Sequence, residues 1–313
     1  IPPTSQQNSY QNVLINSPHL WNGRLDPYLY KVTVEVLEND QVVDKVQESI
    51  GLRYYSVDPN KGFFLNGKPY RLFGVNRHQD REDKGWAIGI KEHKEDFELI
   101  KELGCTAVRL AHYQQAKEFY ELFDRSGIIV IAELSLVDEI NMCKAFSSNV
   151  KEQLSELIKQ NFNHPSITFW SIFNELMPEP NREAYGKLVS DLNTLAKQLD
   201  STRPTVMASR AKYDGSEYIN TVTDLIGYNV YRGWYEGKPD DFAGFVDSLH
   251  SRFPGYRLAI TEYGAGASLF QHEFSAKKPN TKGTWHPEEW QSIYHEAHWK
   301  AIKERPYIWG TFI

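Results

Sequence analysis

The segment "IIVIAELSLVDEINMCKAFSSNVKEQLSELIKQNFNHPSITFWSIFNE", Ile128 to Glu175, decides the fold. Ile128–Leu134 and Ser166–Glu175 are short apolar runs rich in β-branched and aromatic residues, the pattern of strands buried on both faces. Between them, Asn149–Phe162 reads as a helix. A strand, a helix and a second strand with short connections form a parallel βαβ unit.

The unit repeats in both directions. Upstream, Tyr70–His78 reads as a strand, Lys91–Gly104 as an amphipathic helix stopped by Gly104, Thr106–Tyr113 as a strand, and Gln115–Gly127 as a helix stopped by Gly127. Downstream, a helix at Arg182–Asp200 precedes strands at Pro204–Ser209 and Asp224–Tyr231. A helix at Asp241–His250, a strand at Tyr256–Gly264, a helix at Pro287–Glu304 and a strand at Pro306–Ile313 follow. Eight strands close a (β/α)8 TIM barrel, and 61–313 approaches the ~250 residues typical of that fold. The chain stops at Ile313, so the barrel is expected to be truncated at its eighth strand, with its closing helix absent from this sequence.

Ahead of Phe63 the pattern is all-β. Tyr28–Asp40 alternates apolar and polar residues before a turn, and Gln41–Asp58 supplies returning strands. Three or four strands are too few for an independent sandwich. Residues 1–60 are therefore expected to be part of a β domain that precedes the barrel.

Composition excludes several functions. The 313 residues carry a net charge of −6 and show no Lys/Arg cluster, which argues against nucleic acid as a partner. No apolar run approaches the roughly 20 residues that span a bilayer. Two cysteines are too few for a disulfide framework, and Cys105 beside a strand reads as a small core residue. Aromatics make up 13%, which suits a protein that stacks on sugars but equally suits a core. The chain opens at Ile1 without Met, so the compartment stays open between bacterial periplasm and cytoplasm, as does homo-oligomerisation.

In such a barrel the C-terminal strand ends converge on one face and carry the active site. The fourth strand ends on Asn174 and Glu175, and the seventh ends on Glu262. An ionised carboxylate beside a buried strand is costly unless it is paired or useful. Glu175 and Glu262 are 87 residues apart over three units, a spacing in line with ~31 residues per unit in a ~250-residue barrel. Across the barrel mouth, two carboxylates about 5 Å apart serve retaining glycoside hydrolysis. The plainer reading is that Glu175 caps the helix or loop that follows.

Four motifs in order, GVNRHQDRE (Gly74–Glu82), VRLAHYQ (Val108–Gln114), FWSIFNE (Phe169–Glu175) and AITEYG (Ala259–Gly264), resemble glycoside hydrolase family 2. This family includes β-galactosidases, β-glucuronidases and β-mannosidases. The resemblance covers almost the whole chain. It implies that residues 1–60, with the motif LWNGRLDPYLYKV (Leu20–Val32), are the C-terminal part of an immunoglobulin-like β-sandwich.

Residue by residue, the resemblance implies Glu175 as general acid/base and Glu262 as nucleophile, with pKa values separated by their surroundings. Asn174 would bond the sugar 2-hydroxyl, and Tyr231 would tune Glu262. Arg109 and His112 would line the pocket, Arg109 favouring an ionised Glu262. His78 and Asp80 would border the sugar. Plainer readings stand beside these. Arg109 could simply pair a buried carboxylate, His78 and His112 could be structural, and Tyr231 could be packing. Glu133 reads as a support residue.

Two departures narrow the resemblance. Val137 stands where some β-galactosidases of the family place a magnesium ligand, so no metal and no cofactor are expected. Ala265 replaces a sugar-contacting His. The expected activity is a retaining exo-β-glycosidase cleaving terminal β-D-galactosides, with a β-linked galactoside or oligosaccharide as partner. The nearest rival is a β-glucuronidase, whose usual Lys for the sugar carboxylate would fall beyond Ile313. A non-catalytic carbohydrate-binding fragment is a second rival. An enolase-like reaction would need three carboxylates at successive strand ends, and these are not found.

Overall fold

The computed structural model describes residues 6–177, 182–210 and 218–313. The barrel strands are β6 (Leu72–Arg77), β7 (Ala107–Leu110), β8 (Ile129–Glu133), β9 (Ile167–Asn174), β10 (Thr205–Arg210), β11 (Leu225–Asn229), β12 (Leu258–Glu262) and β13 (Gly310–Phe312). They pair in parallel in sequence order, and β13 closes onto β6 with Gly310 beside Leu72 and Phe312 beside Gly74. The expected eight-stranded TIM barrel is thus present, and closure leaves its sheet without an edge.

Helices α1 (Ile90–Glu102), α2 (Lys117–Ser126), α3 (Lys144–Asn161), α4 (Arg182–Leu199), α5 (Asp241–Arg252) and α6 (Glu288–Lys303) join the strands. Among the described residues between β10 and β11 lies a 3₁₀ turn, Tyr218–Thr221. Gly104 (φ +77°) and Gly127 (φ +74°) follow α1 and α2 in left-handed conformations that end a helix cheaply only for glycine. A Cβ on Gly127 would also lie 2.1 Å from the Gly23 carbonyl oxygen. Helix α3 starts five residues earlier than the reading from Asn149, because the Cys143 sulfur accepts from the Phe146 amide and caps the extra turn.

Apolar residues sort into two layers. Strand residues such as Val130, Trp170 and Ile172 face the helices, where they meet Phe119, Phe123, Leu154 and Leu188. The barrel interior holds Ile131, Phe169, Val206, Trp309 and Phe312, all at most 1% exposed. Each buried aromatic removes about 150–250 Å² from water, roughly 4–6 kcal/mol gross.

Below the interior, β3 (Tyr55–Asp58), β4 (Gly62–Leu65) and β5 (Lys68–Pro69) form a small meander. Its Phe63 ring sits 5.7 Å from Phe169, which in turn packs tilted at 4.8 Å from Trp309. Side chains therefore plug the N-terminal end, and polar chemistry gathers at the opposite mouth. Hairpin β1 (Tyr30–Glu38) and β2 (Gln41–Ile50) turns at Asn39 and Asp40, both at positive φ, as a tight hairpin requires. Its Val32, Val34, Val36, Val42 and Val46 are exposed. Cys105 is buried in the core, as expected.

Candidate active site

Each polar group at the C-terminal mouth sits at the end of an apolar strand whose ladder fixes its height. Arg109 on β7 pairs in register with Asn76 on β6, and Glu133 on β8 with Ser171 on β9. Arg109 is fully buried and distributes its donors across the barrel floor. Its Nε donates to Glu133 Oε2 at 2.8 Å and its Nη2 to Glu133 Oε1 at 3.0 Å. Its Nη1 donates to Glu262 Oε1 at 2.7 Å and to Asn76 Oδ1 at 2.9 Å, and Nη2 also reaches Asn174 Oδ1 at 2.9 Å.

Arg109 thus pairs with a buried carboxylate and also grips Glu262. It does so from behind, with no surface on the pocket. Although burial alone lowers a guanidinium's pKa, the charges of Glu133 and Glu262 raise that of Arg109 above its ordinary value.

Glu133 is the counter-charge that makes this buried cation tolerable. Burial pushes a carboxyl up, but the Arg109 charge and the His112 hydrogen bond bring Glu133 well below the usual carboxylate range. Ser171 Oγ also donates to it at 2.8 Å. His112 Nδ1 lies 2.6 Å from Glu133 Oε1. An ionised carboxylate only accepts, so Nδ1 carries the proton and Nε2 faces Glu262 Oε1 at 3.8 Å. Glu133 is thus a support, as read from the sequence.

Glu262 is held on both oxygens, since the Tyr231 hydroxyl donates to Oε2 at 2.8 Å. Burial and the neighbouring Glu262 charge push Tyr231 up, so the phenol remains a protonated donor. Glu175 lies just past β9 at φ +50°, a left-handed conformation uncommon for a residue with a Cβ. Asn229 Nδ2 donates to Glu175 Oε1 at 2.8 Å, and Arg210 Nε donates to Glu175 Oε2 at 2.6 Å. Asn229 Nδ2 also reaches Asn174 Oδ1 at 3.1 Å, while its Oδ1 accepts from Thr261 at 2.8 Å. The oxygen of Asn174 is taken by Arg109 and Asn229, so its NH2 group is the part left to meet a ligand.

Glu175 and Glu262 open onto one cavity of about 710 Å³, with Asn174, His112 and Tyr231 in its wall. Arg210, Asn229, Asp138, Tyr235 and Glu236 line it too and were not singled out from the sequence. Among these, Asn229 had a legible signal: it ends β11 two residues before Tyr231, on the same side of an extended chain. Among the described residues neither His78 nor Asp80 lines the cavity. The His78 ring packs 5.1 Å from His112, and burial together with that neighbour pulls its pKa below the ordinary value. Val137 lines the pocket, and among the described residues no group of three His, Cys, Asp or Glu is arranged to hold a metal ion.

A parallel eight-stranded barrel with two glutamates facing one cavity at its C-terminal mouth is the architecture of a barrel glycoside hydrolase. Comparison with known proteins specifies the family. Residues 57–273 match the family model "Glycosyl hydrolases family 2, TIM barrel domain", and residues 2–53 match "Glycosyl hydrolases family 2". The chain belongs to glycosyl hydrolase family 2.

It is 46% identical over 308 residues to a β-glucuronidase of Bacteroides fragilis, covering 96% of this chain and 44% of that protein. It is 24% identical over 360 residues to the β-galactosidase BoGH2A of Bacteroides ovatus, covering 97% of this chain and 40% of that protein. The crystal structure of an FMN-binding β-glucuronidase from Facaelibacterium prausnitzii L2-6 superimposes with a TM-score of 0.91 at 36% identity, covering 95% of this chain and 45% of that one. The chain thus spans less than half the length of each. No helix among the described residues is long and apolar enough to cross a membrane.

Proposed function

We propose that the protein is a retaining exo-β-glycosidase acting by double displacement, with a β-glucuronide as its substrate. The observation that carries the reaction class is the shared cavity, in which Glu175 and Glu262 are each fixed by two side-chain donors. Glu175 gives its proton to the glycosidic oxygen as Glu262 attacks the anomeric carbon, forming a glycosyl ester and releasing the leaving group. Glu175 then takes a proton from water, which cleaves the ester and restores Glu262. Arg109 and Tyr231 orient Glu262, and the NH2 group of Asn174 bonds the sugar 2-hydroxyl. His112 borders the sugar, with His78 against the His112 ring and Asp80 on the same border. Residues 1–60 are the C-terminal part of an immunoglobulin-like domain, and 61–313 the catalytic domain.

The choice of sugar departs from the galactoside expected from sequence. The β-glucuronidase relative is 46% identical and the β-galactosidase 24%, which favours the uronide. A galactoside is the second reading, supported by the BoGH2A match over 97% of the chain. The full-length protein, assayed on aryl β-glucuronide and aryl β-galactoside side by side, tests the choice. Faster turnover of the galactoside would reverse it. NMR of the first-formed anomer tests retention, and a 2-fluoro glycoside should label Glu262. An inverted product or a label elsewhere would refute the mechanism.

A further inference from the structure

The proposed mechanism uses Arg210 only to hold Glu175. It ends β10 and bridges two carboxylates: Nε to Glu175 Oε2 at 2.6 Å and Nη2 to Asp138 Oδ1 at 2.6 Å. Asp138 is itself stitched to the segment that carries Glu175, since its amide donates to the Asn174 carbonyl and its carbonyl accepts from Met177. The guanidinium is therefore held against the proposed acid/base, whereas Tyr231 and Arg109 hold Glu262. A general acid stands beside the bond to the leaving group, whereas the nucleophile stands beside the anomeric carbon. Asp138 is half exposed and Glu175 largely buried, so Arg210 spans the wall from the acid/base toward the mouth, along the path of the leaving group.

Charge makes the position selective. Among the described lining residues, Arg210 is the one guanidinium, set among the carboxylates of Asp138, Glu175, Glu236 and Glu262. Of the described residues that line this cavity, Arg210 is the one that offers an anion a fixed positive charge. The pairing also changes through the reaction. When Glu175 carries the proton it must donate, Arg210 has lost one counter-charge, and an anionic substituent on the leaving group supplies it.

We propose that Arg210 is a specificity residue of the leaving-group subsite, where it takes a carboxylate or sulfate carried by the aglycone or the next sugar. This rests on Glu175 being the acid/base. The guanidinium fork suits either anion through two parallel N–H donors.

Full-length protein is assayed on paired phenyl glycosides of the preferred sugar, bearing a 3-carboxylate, a 3-sulfonate or the neutral 3-carboxamide. Wild type should favour the anionic members by about tenfold in kcat/KM, carried by KM, which is the scale of one charge-assisted contact at a partly exposed site. Arg210→Gln should erase the ratio and Arg210→Lys keep part of it. Asp138→Asn, which removes a competing carboxylate while keeping the arginine, should raise the ratio.

A purely structural role would lower kcat for charged and neutral substrates alike and leave the ratio intact. That outcome overturns the inference, as does a wild type with no preference or an Asp138→Asn protein with a smaller one. If the neutral glycoside is turned over and Glu262→Gln is dead, the proposed function survives even where this inference fails.

Discussion

Replacing Glu133 by Gln changes one oxygen into an NH2 group at a site with no exposure. Glu133 receives four donors, two on each oxygen: Arg109 Nη2 and His112 on Oε1, Arg109 Nε and Ser171 on Oε2. Whichever way the amide turns, two of those donors face another donor, and one of them belongs to Arg109. The buried guanidinium then keeps only Glu262 as counter-charge. Breaking a buried pair by removing one charge costs about 3–5 kcal/mol. At roughly 2–4 °C per kcal/mol for a domain of this size, the melting temperature should fall on the order of 10 °C.

The loss should come with weaker turnover, because an Arg109 released from Glu133 no longer holds Glu262 at a fixed height. Calorimetry at neutral pH, paired with kcat/KM on the preferred aryl glycoside, measures both. A Glu133→Gln protein that melts within one degree of wild type would refute the reasoning, since the floor would then not depend on that charge.

Other outcomes follow from the same geometry. Glu133 has its folded pKa depressed from 4.5 to about 2, so its stabilisation is complete above 4.5 and drains away as pH falls toward 2; melts of Glu133→Gln should be flatter than wild type across that window. His298 is buried with its folded pKa lowered from 6.5 to about 4, chiefly by burial. The unfolded chain therefore binds a proton first, and stability should drop as pH falls from 6.5 to 4, with His298→Phe reducing the slope in pH-resolved melts. Tyr231→Phe removes the hydrogen bond to Glu262 Oε2 and should lower kcat about tenfold or more in steady-state assays, with little change in melting temperature. Gly127→Ala forces a left-handed φ and a Cβ against the Gly23 carbonyl, and should cost upward of about 1 kcal/mol in urea unfolding.

The barrel was legible because its strands are short, apolar and bounded by glycine stops, so periodicity alone separated Ile129–Glu133 from the helices beside it. The two glutamates were legible because a carboxylate ending a buried strand has few bland explanations. Arg210 was not, since arginine at the end of "PTVMASR" reads as a solvated residue, and only the fold brings it to Glu175, 35 positions earlier in the chain. The start of α3 was missed because the sulfur of Cys143 supplies a cap that a propensity reading assigns to Ser, Thr, Asp or Asn. The places of His78 and Asp80 depend on loop geometry after β6, for which strand patterning holds no information.

The side-chain oxygen of Asn174 receives both Arg109, which grips Glu262, and Asn229, which grips Glu175. One atom thereby yokes the two halves of the machinery. Substitutions on the floor should combine non-additively in double-mutant cycles, whereas one at Glu236, which lines the mouth half exposed, should act nearly independently of the nucleophile. An engineer wishing to redirect this protein toward another leaving group has freedom at the lip of the barrel and almost none beneath it.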